Sequence, residues 1–166
     1  MQQNNREKKF ELLIKEHELL IFKVCAMYTS SVTDRQDLFQ EIIIQLWKTF
    51  ENFRGDAKIS TWLYRVSLNT AITILRKEKK FIQTYEPSKL PSNISDAAYS
   101  YIAEEQLQQL YSSIAQLNEI EKAIVMLYLE DRPYEEMNAI LGINEGNLRV
   151  KMNRIKEKLR QLTKTK

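Results

Sequence analysis

The sequence predicts an all-α protein of two small helical domains joined by a flexible linker, and three observations lead there. The 166 residues hold only three Gly and three Pro, too few to supply the turns of a sheet-rich fold. Although 28% of the residues are charged, the chain runs in long unbroken amphipathic segments with apolar residues every three or four positions. Two of the three prolines, Pro87 and Pro91, fall in one polar stretch, FIQTYEPSKLPSNISDAA (81–98), which reads as the linker. The expected domains are 1–80 and 99–166, with the linker at 81–98.

The first domain reads as three helices. Over about residues 6 to 30, Phe10, Leu13, Ile14, His17, Leu20, Ile21, Val24 and Tyr28 form one apolar stripe. A second helix is expected to open at Thr33, with Gln36 three residues on as a capping box, and to end near Phe50. The loop ENFRGDAK (51–58) follows, where Gly55 permits a backbone shape that other residues resist. The third helix, about 59 to 80, is apolar on two rows, Ile59, Leu63, Val66 and Tyr64, Leu68, Ala71, Leu75, and is expected to be central.

Two faces of this domain are not simple core faces. At about 100° per residue, helix two sets Leu38, Phe39, Ile42, Ile43, Leu46 and Phe50 on one side and Asp37, Gln40, Glu41, Ile44 and Lys48 on the other. An isoleucine ringed by carboxylate and amide groups suits a protein-docking face; a solvated face with one stray apolar residue fits the pattern as well. Helix three carries Trp62, Arg65, Asn69, Thr73, Arg76 and Lys80 in a stripe, adjoined by Phe53, Arg54 and Lys58 of the loop. Rings stack on unpaired bases, cations follow phosphates and an amide can bond a base edge, so the stripe suits single-stranded nucleic acid. The alternative is that Trp62 packs in the core and the cations are solvated.

In the second domain EIEKAIVMLYL (119–129) reads as a helix, Pro133 can open the next, YEEMNAIL (134–141), and Gly142 ends it. Asn144 is a plausible N-cap for a long helix from Glu145 to about Leu162. A short helix, a Gly-containing turn and a longer basic helix is the pattern of a helix-turn-helix, whose second helix enters the major groove. Residues 149–166 hold eight basic and one acidic residue, against two basic and seven acidic in 116–148. Leu148, Met152, Ile155 and Leu159 share one face, while Arg149, Val150, Asn153 and Arg154 lie opposite. Arg pairs with guanine, Asn with adenine, and Val meets the thymine methyl. Lys151, Lys156, Lys158 and Arg160 are expected on phosphate or in solvent.

Several function classes are excluded. One Cys and one His make neither a disulfide nor a four-ligand zinc site, and no metal or cofactor is expected. The three Gly form no phosphate-cradling loop. The first ten residues, MQQNNREKKF, are polar, and nothing approaches a membrane span, so a cytoplasmic protein without membrane insertion is expected. His17 and Cys25 read as packing residues, and the adjacent pairs Glu104, Glu105 and Glu135, Glu136 diverge on a helix. No catalytic residues are found, and the chain is not expected to be an enzyme.

Three segments in order, DRQDLFQEIIIQLW (34–47), FRGDAKISTWLYRVSLNTAI (53–72) and YEEMNAILGINEGNLRVKMNRIKEKL (134–159), resemble the extracytoplasmic-function class of bacterial RNA polymerase sigma factors. The resemblance covers about residues 10 to 162. It implies that 1–80 is region 2 and 99–166 is region 4, and that the chain gives core RNA polymerase its promoter specificity. By similarity, Asp37, Gln40, Glu41, Ile44 and Trp47 would dock on the clamp helices of the largest subunit, with the flap of the second-largest subunit as a further partner. Phe53, Arg54, Lys58, Trp62, Tyr64, Arg65 and Asn69 would recognise and open the minus-ten element. Asn147, Arg149, Val150, Lys151, Asn153 and Arg154 would read the minus-thirty-five element of promoter DNA. The linker would thread near the RNA exit path. An anti-sigma factor is the further partner implied. The sequence departs from the family at Asn138, where a small Ala is usual, and at Val150, where Ser is common, so no minus-thirty-five sequence carries over. The competing readings are a stand-alone helix-turn-helix regulator, which would bind operator DNA without polymerase, and an interaction protein with no DNA dependence.

Overall fold

The computed structural model describes residues 2–82 and 109–164, and every regular element among them is an α-helix. The chain divides into two compact units between Leu90 and Pro91.

The first unit is a three-helix assembly of α1 (Gln2–Tyr28), α2 (Val32–Phe50) and α3 (Ile59–Ile82). Helix α1 buries Phe10, Ile21, Val24, Cys25 and Tyr28, leaves Leu13, Ile14, His17 and Leu20 half-buried, and is kinked where His17 takes φ −114°, ψ 15°. At its end the Thr29 hydroxyl donates to the Cys25 carbonyl at 2.6 Å, satisfying a group the helix itself leaves open.

The start of α2 corrects the expected capping box. Ser31, extended at φ −112°, ψ 154°, is the N-cap, and its Oγ accepts from the Asp34 amide at 3.1 Å. Thr33 and Gln36 lie inside the helix and are exposed. The hydroxyl two residues earlier wins because it sits where the backbone is still extended and can reach the third amide of the first turn. Asp34 in the first turn and Lys48 in the last also oppose the helix dipole favourably. Leu38, Ile42 and Leu46 are buried along one edge.

Gly55 takes φ +79°, as the loop requires. Beyond it α3 is the central helix: Thr61, Trp62, Leu63, Tyr64, Ser67, Leu68, Ala71 and Ile72 are all buried, because α1 and α2 pack on different sides of it. Its last residues take positions 81 and 82 of the expected linker, and 83–98 lie outside the described residues, as do Glu104 and Glu105.

The second unit contains helical residues 109–115 (α4), then α5 (Glu119–Leu129), α6 (Tyr134–Leu141) and α7 (Glu145–Lys164). Asn118 and Glu121 form a reciprocal capping box for α5, with bonds of 2.8 and 3.0 Å. Five consecutive residues, Ala123 to Leu127, are buried, so α5 is this unit's hub. The turn into α6 passes through Asp131 at φ +54° and reaches Pro133 as N-cap. Gly142, left-handed at φ +70°, ends α6, and Asn144 Oδ1 caps α7 by accepting from the Asn147 amide at 2.8 Å. Asn138 points to solvent, so a residue larger than Ala fits there.

Candidate functional site

On α2, Asp37, Gln40, Ile44 and Lys48 are exposed, and Ile44 shows 46% of its surface between them. Glu41 is half-buried and accepts from Gln45 Nε2 at 3.0 Å, which fixes its carboxylate along the helix. Trp47 differs from these residues. The Arg6 guanidinium lies 4.1 Å from its ring centroid, Phe10 meets it edge-on at 5.0 Å, and Phe50 stacks at 6.4 Å. Arg6 also pairs with Glu51. The N-terminal part of α1 therefore holds Trp47, a role for Arg6 and Phe10 that no local pattern in the sequence reveals.

The stripe on α3 is divided by the fold. Arg65 and Asn69 are exposed, as are Arg54 and Lys58 of the loop, and Phe53 is half-buried. Trp62 is only 8% exposed and Tyr64 2%. Trp62 packs against Phe53 at 5.0 Å and Phe50 at 6.4 Å, between the loop and α2. In this structure both large rings belong to the core, Tyr64 as its apolar row on α3 suggests and Trp62 as in the alternative reading of the stripe. The reason is the central position of α3: with neighbours on two sides, a helix has fewer positions free to face solvent than its own periodicity suggests. Thr73 and Arg76 are exposed.

On α7, Leu148, Met152 and Ile155 are buried, while Asn147, Arg149, Val150, Lys151, Asn153 and Arg154 are all exposed. Val150 keeps 48% of its surface in solvent between two cations. Arg149 lies over the Tyr134 ring at 5.0 Å and pairs with Glu145 at 3.4 Å. Lys156 covers the Tyr128 ring at 4.7 Å, Lys158 bonds Glu121 at 3.1 Å, and Arg160 pairs with Glu157 at 3.5 Å. These last three cations thus have partners within the protein, which the sequence reading left to phosphate or solvent.

Burial pushes the Cys25 thiol up to about 11, which keeps it protonated and unreactive at neutral pH. No group of three or more His, Cys, Asp or Glu among the described residues is placed to hold a metal ion, and no described helix is long and apolar enough to cross a membrane.

Two helical units, the second a helix-turn-helix with an exposed cationic row, make up an architecture suited to reading DNA. The first unit matches the family Sigma-70 region 2 over residues 13–81, and the second matches Sigma-70, region 4 over 107–159. The chain is 29% identical over 166 residues to the ECF RNA polymerase sigma-E factor of Escherichia coli (strain K12), covering 93% of this chain and 86% of that protein. It is 23% identical over 169 residues to the RNA polymerase sigma-H factor of Pseudomonas aeruginosa, with the same coverage of 93% and 86%. Its fold resembles the sigma factor RpoE of Bartonella quintana, solved with the anti-sigma factor NepR, at TM-score 0.78 and 20% identity over 95% of this chain and 98% of that one. It also resembles CnrH, solved with the cytosolic domain of CnrY, at TM-score 0.67 and 18% identity over 96% and 90%. The chain belongs to the extracytoplasmic-function sigma factors. It is accordingly a promoter-recognising factor for RNA polymerase, and the stand-alone regulator reading is not favoured.

Proposed function

We propose the following division of labour among its residues. The chain docks on the clamp helices of core RNA polymerase through Asp37, Gln40, Glu41 and Ile44, with Trp47 held at the edge of that face by Arg6. Phe53, Arg54, Lys58, Arg65 and Asn69 meet the non-template strand of the minus-ten element, while Trp62 and Tyr64 support that surface from beneath. Asn147, Arg149, Val150, Lys151, Asn153 and Arg154 read the minus-thirty-five element. The functional domains are 1–80, 81–98 as linker, and 99–166. The matched stretches 13–81 and 107–159 lend support to that division.

The observation that carries the reading is that every residue of the α7 row is exposed while the opposite face is buried, because base edges can be met only by side chains free of the core. Two weak DNA contacts held at fixed separation on polymerase then act as one bivalent reader. Capture of unstacked bases offsets the few kcal/mol that opening costs per step, so the factor needs no catalytic step of its own. The partners are core polymerase, including the flap of its second-largest subunit, promoter DNA and an anti-sigma factor, in the cytoplasm. The two structural neighbours, each solved with a protein partner, support the last of these.

The test is reconstitution with bacterial core polymerase lacking any sigma factor, with transcript starts mapped on genomic fragments. Discrete starts sharing two upstream elements, lost with Asp37→Arg, are expected. Sequence-specific duplex binding without association with core would overturn the reading.

A further inference from the structure

Arg149 is one of two arginines in the α7 row able to pair with guanine, and in the protein its guanidinium is already held on two sides. Tyr134, the first residue of α6, offers its ring at 5.0 Å, and Glu145, one turn earlier on α7, accepts from Nη2 at 3.4 Å. Tyr134 is well anchored, since it is half-buried itself and Met137 and Ile140 fix α6 to the core. Glu145 is stabilised independently of Arg149, because it occupies the first turn of α7, where the helix dipole favours negative charge.

We infer that Tyr134 and Glu145 form a holder that makes Arg149 selective for guanine at one position of the upstream promoter element. This rests on the reading of α7 as the helix that meets that element. A ring beneath the guanidinium restricts its tilt without using any of its in-plane N–H donors. The carboxylate occupies one donor until a better acceptor set arrives. Guanine presents two acceptors, O6 and N7, that match the fork and can replace the carboxylate bond. Adenine presents an acceptor beside a donor and cannot match both. Facing a wrong base, Arg149 keeps Glu145 as its partner, and the exposed pair offers the DNA no net positive charge. Tyr134 and Glu145 are thus positioning residues, and the discrimination arises from exchanging one ordered partner for another.

The test uses holoenzyme and a duplex library built on a start site mapped with the wild type, in which only the upstream element is randomised. Base preference is read position by position. Arg149→Ala identifies its own position as the one where a guanine preference disappears. Tyr134→Leu is expected to weaken that preference roughly two- to fivefold and to leave the other positions unchanged, whereas Tyr134→Phe, which keeps the ring, retains it. Glu145→Gln is expected to raise retention of members lacking guanine there, and as an exposed substitution it stands even if Tyr134→Leu folds poorly. The inference is overturned if Tyr134→Leu and Glu145→Gln leave that position unchanged, if they flatten every position alike, or if Tyr134→Phe behaves as Leu. If instead Arg149→Ala changes no position at all, the assignment of α7 as the reading helix is what fails.

Discussion

Lys158 of α7 donates to the Glu121 carboxylate at 3.1 Å, and the same oxygen of Glu121 accepts the Asn118 amide that opens α5, at 3.0 Å. One acid therefore both closes the N-terminus of α5 and ties α7 to it across 37 positions of sequence. The cap is a local interaction, and the tie is a tertiary one that helps fix the angle at which α7 leaves the unit.

Glu121→Ala should lower the stability of the second unit by about 1 kcal/mol, most of it from the capping box. The ion pair adds little, since the Lys158 side chain is nearly half exposed. Lys158→Met alone should therefore cost less than about 0.5 kcal/mol. Urea unfolding of the three proteins checks this, and equal losses for the two variants would show that the tie rather than the cap carries the stability.

Ile44 and Leu46 are two residues apart on α2 and should behave oppositely. Leu46 is fully buried, so Leu46→Ala should cost about 2–5 kcal/mol. Ile44→Asp should change stability by less than about 0.5 kcal/mol yet weaken association with core polymerase at least about tenfold, as loss of an apolar anchor does. Unfolding midpoints and titration against core polymerase separate the two. Unchanged association for Ile44→Asp would remove this face from the docking proposal.

Gly142 ends α6 at φ +70°, and a Cβ there would meet nothing within 4 Å. The cost of Gly142→Ala is thus backbone strain alone, about 1 kcal/mol, and Gly142→Asn should cost less because Asn tolerates the left-handed region. Thermal unfolding of both variants tests the order, and a neutral Ala substitution would mean that the turn relaxes.

Cys25 sets a pH dependence of known sign. Its thiol rises from 9.0 to about 11 in the fold through burial, so between those values the unfolded chain gives up its proton first. Stability is unaffected by this group below about pH 9 and falls as the pH rises from there towards 11. Cys25→Ala should flatten that part of the wild-type curve relative to the rest. Identical slopes in the two proteins would show that the buried thiol is not the source.

Much of the fold was legible because it is written in near neighbours. The bounds of α5, the left-handed stop at Gly142, the cap at Asn144 and the opposed faces of α7 all follow from residues within one or two turns of each other. The opening of α2 is not fixed even by near neighbours, because Ser31 and Thr33 are both plausible caps and only the backbone path decides between them.

By itself the sequence determined the helices, their capping at α7, the two-domain division and the cationic row on α7. The tertiary structure alone decided between the two readings of Trp62 in favour of the core, set Arg6 and Phe10 against Trp47, and put Tyr134 beneath Arg149. The physical reason is that helical periodicity, fixed by local backbone geometry, tells which residues share a face. Whether that face meets solvent depends on which distant segment packs upon it, and Arg6 meets Trp47 from 41 residues away.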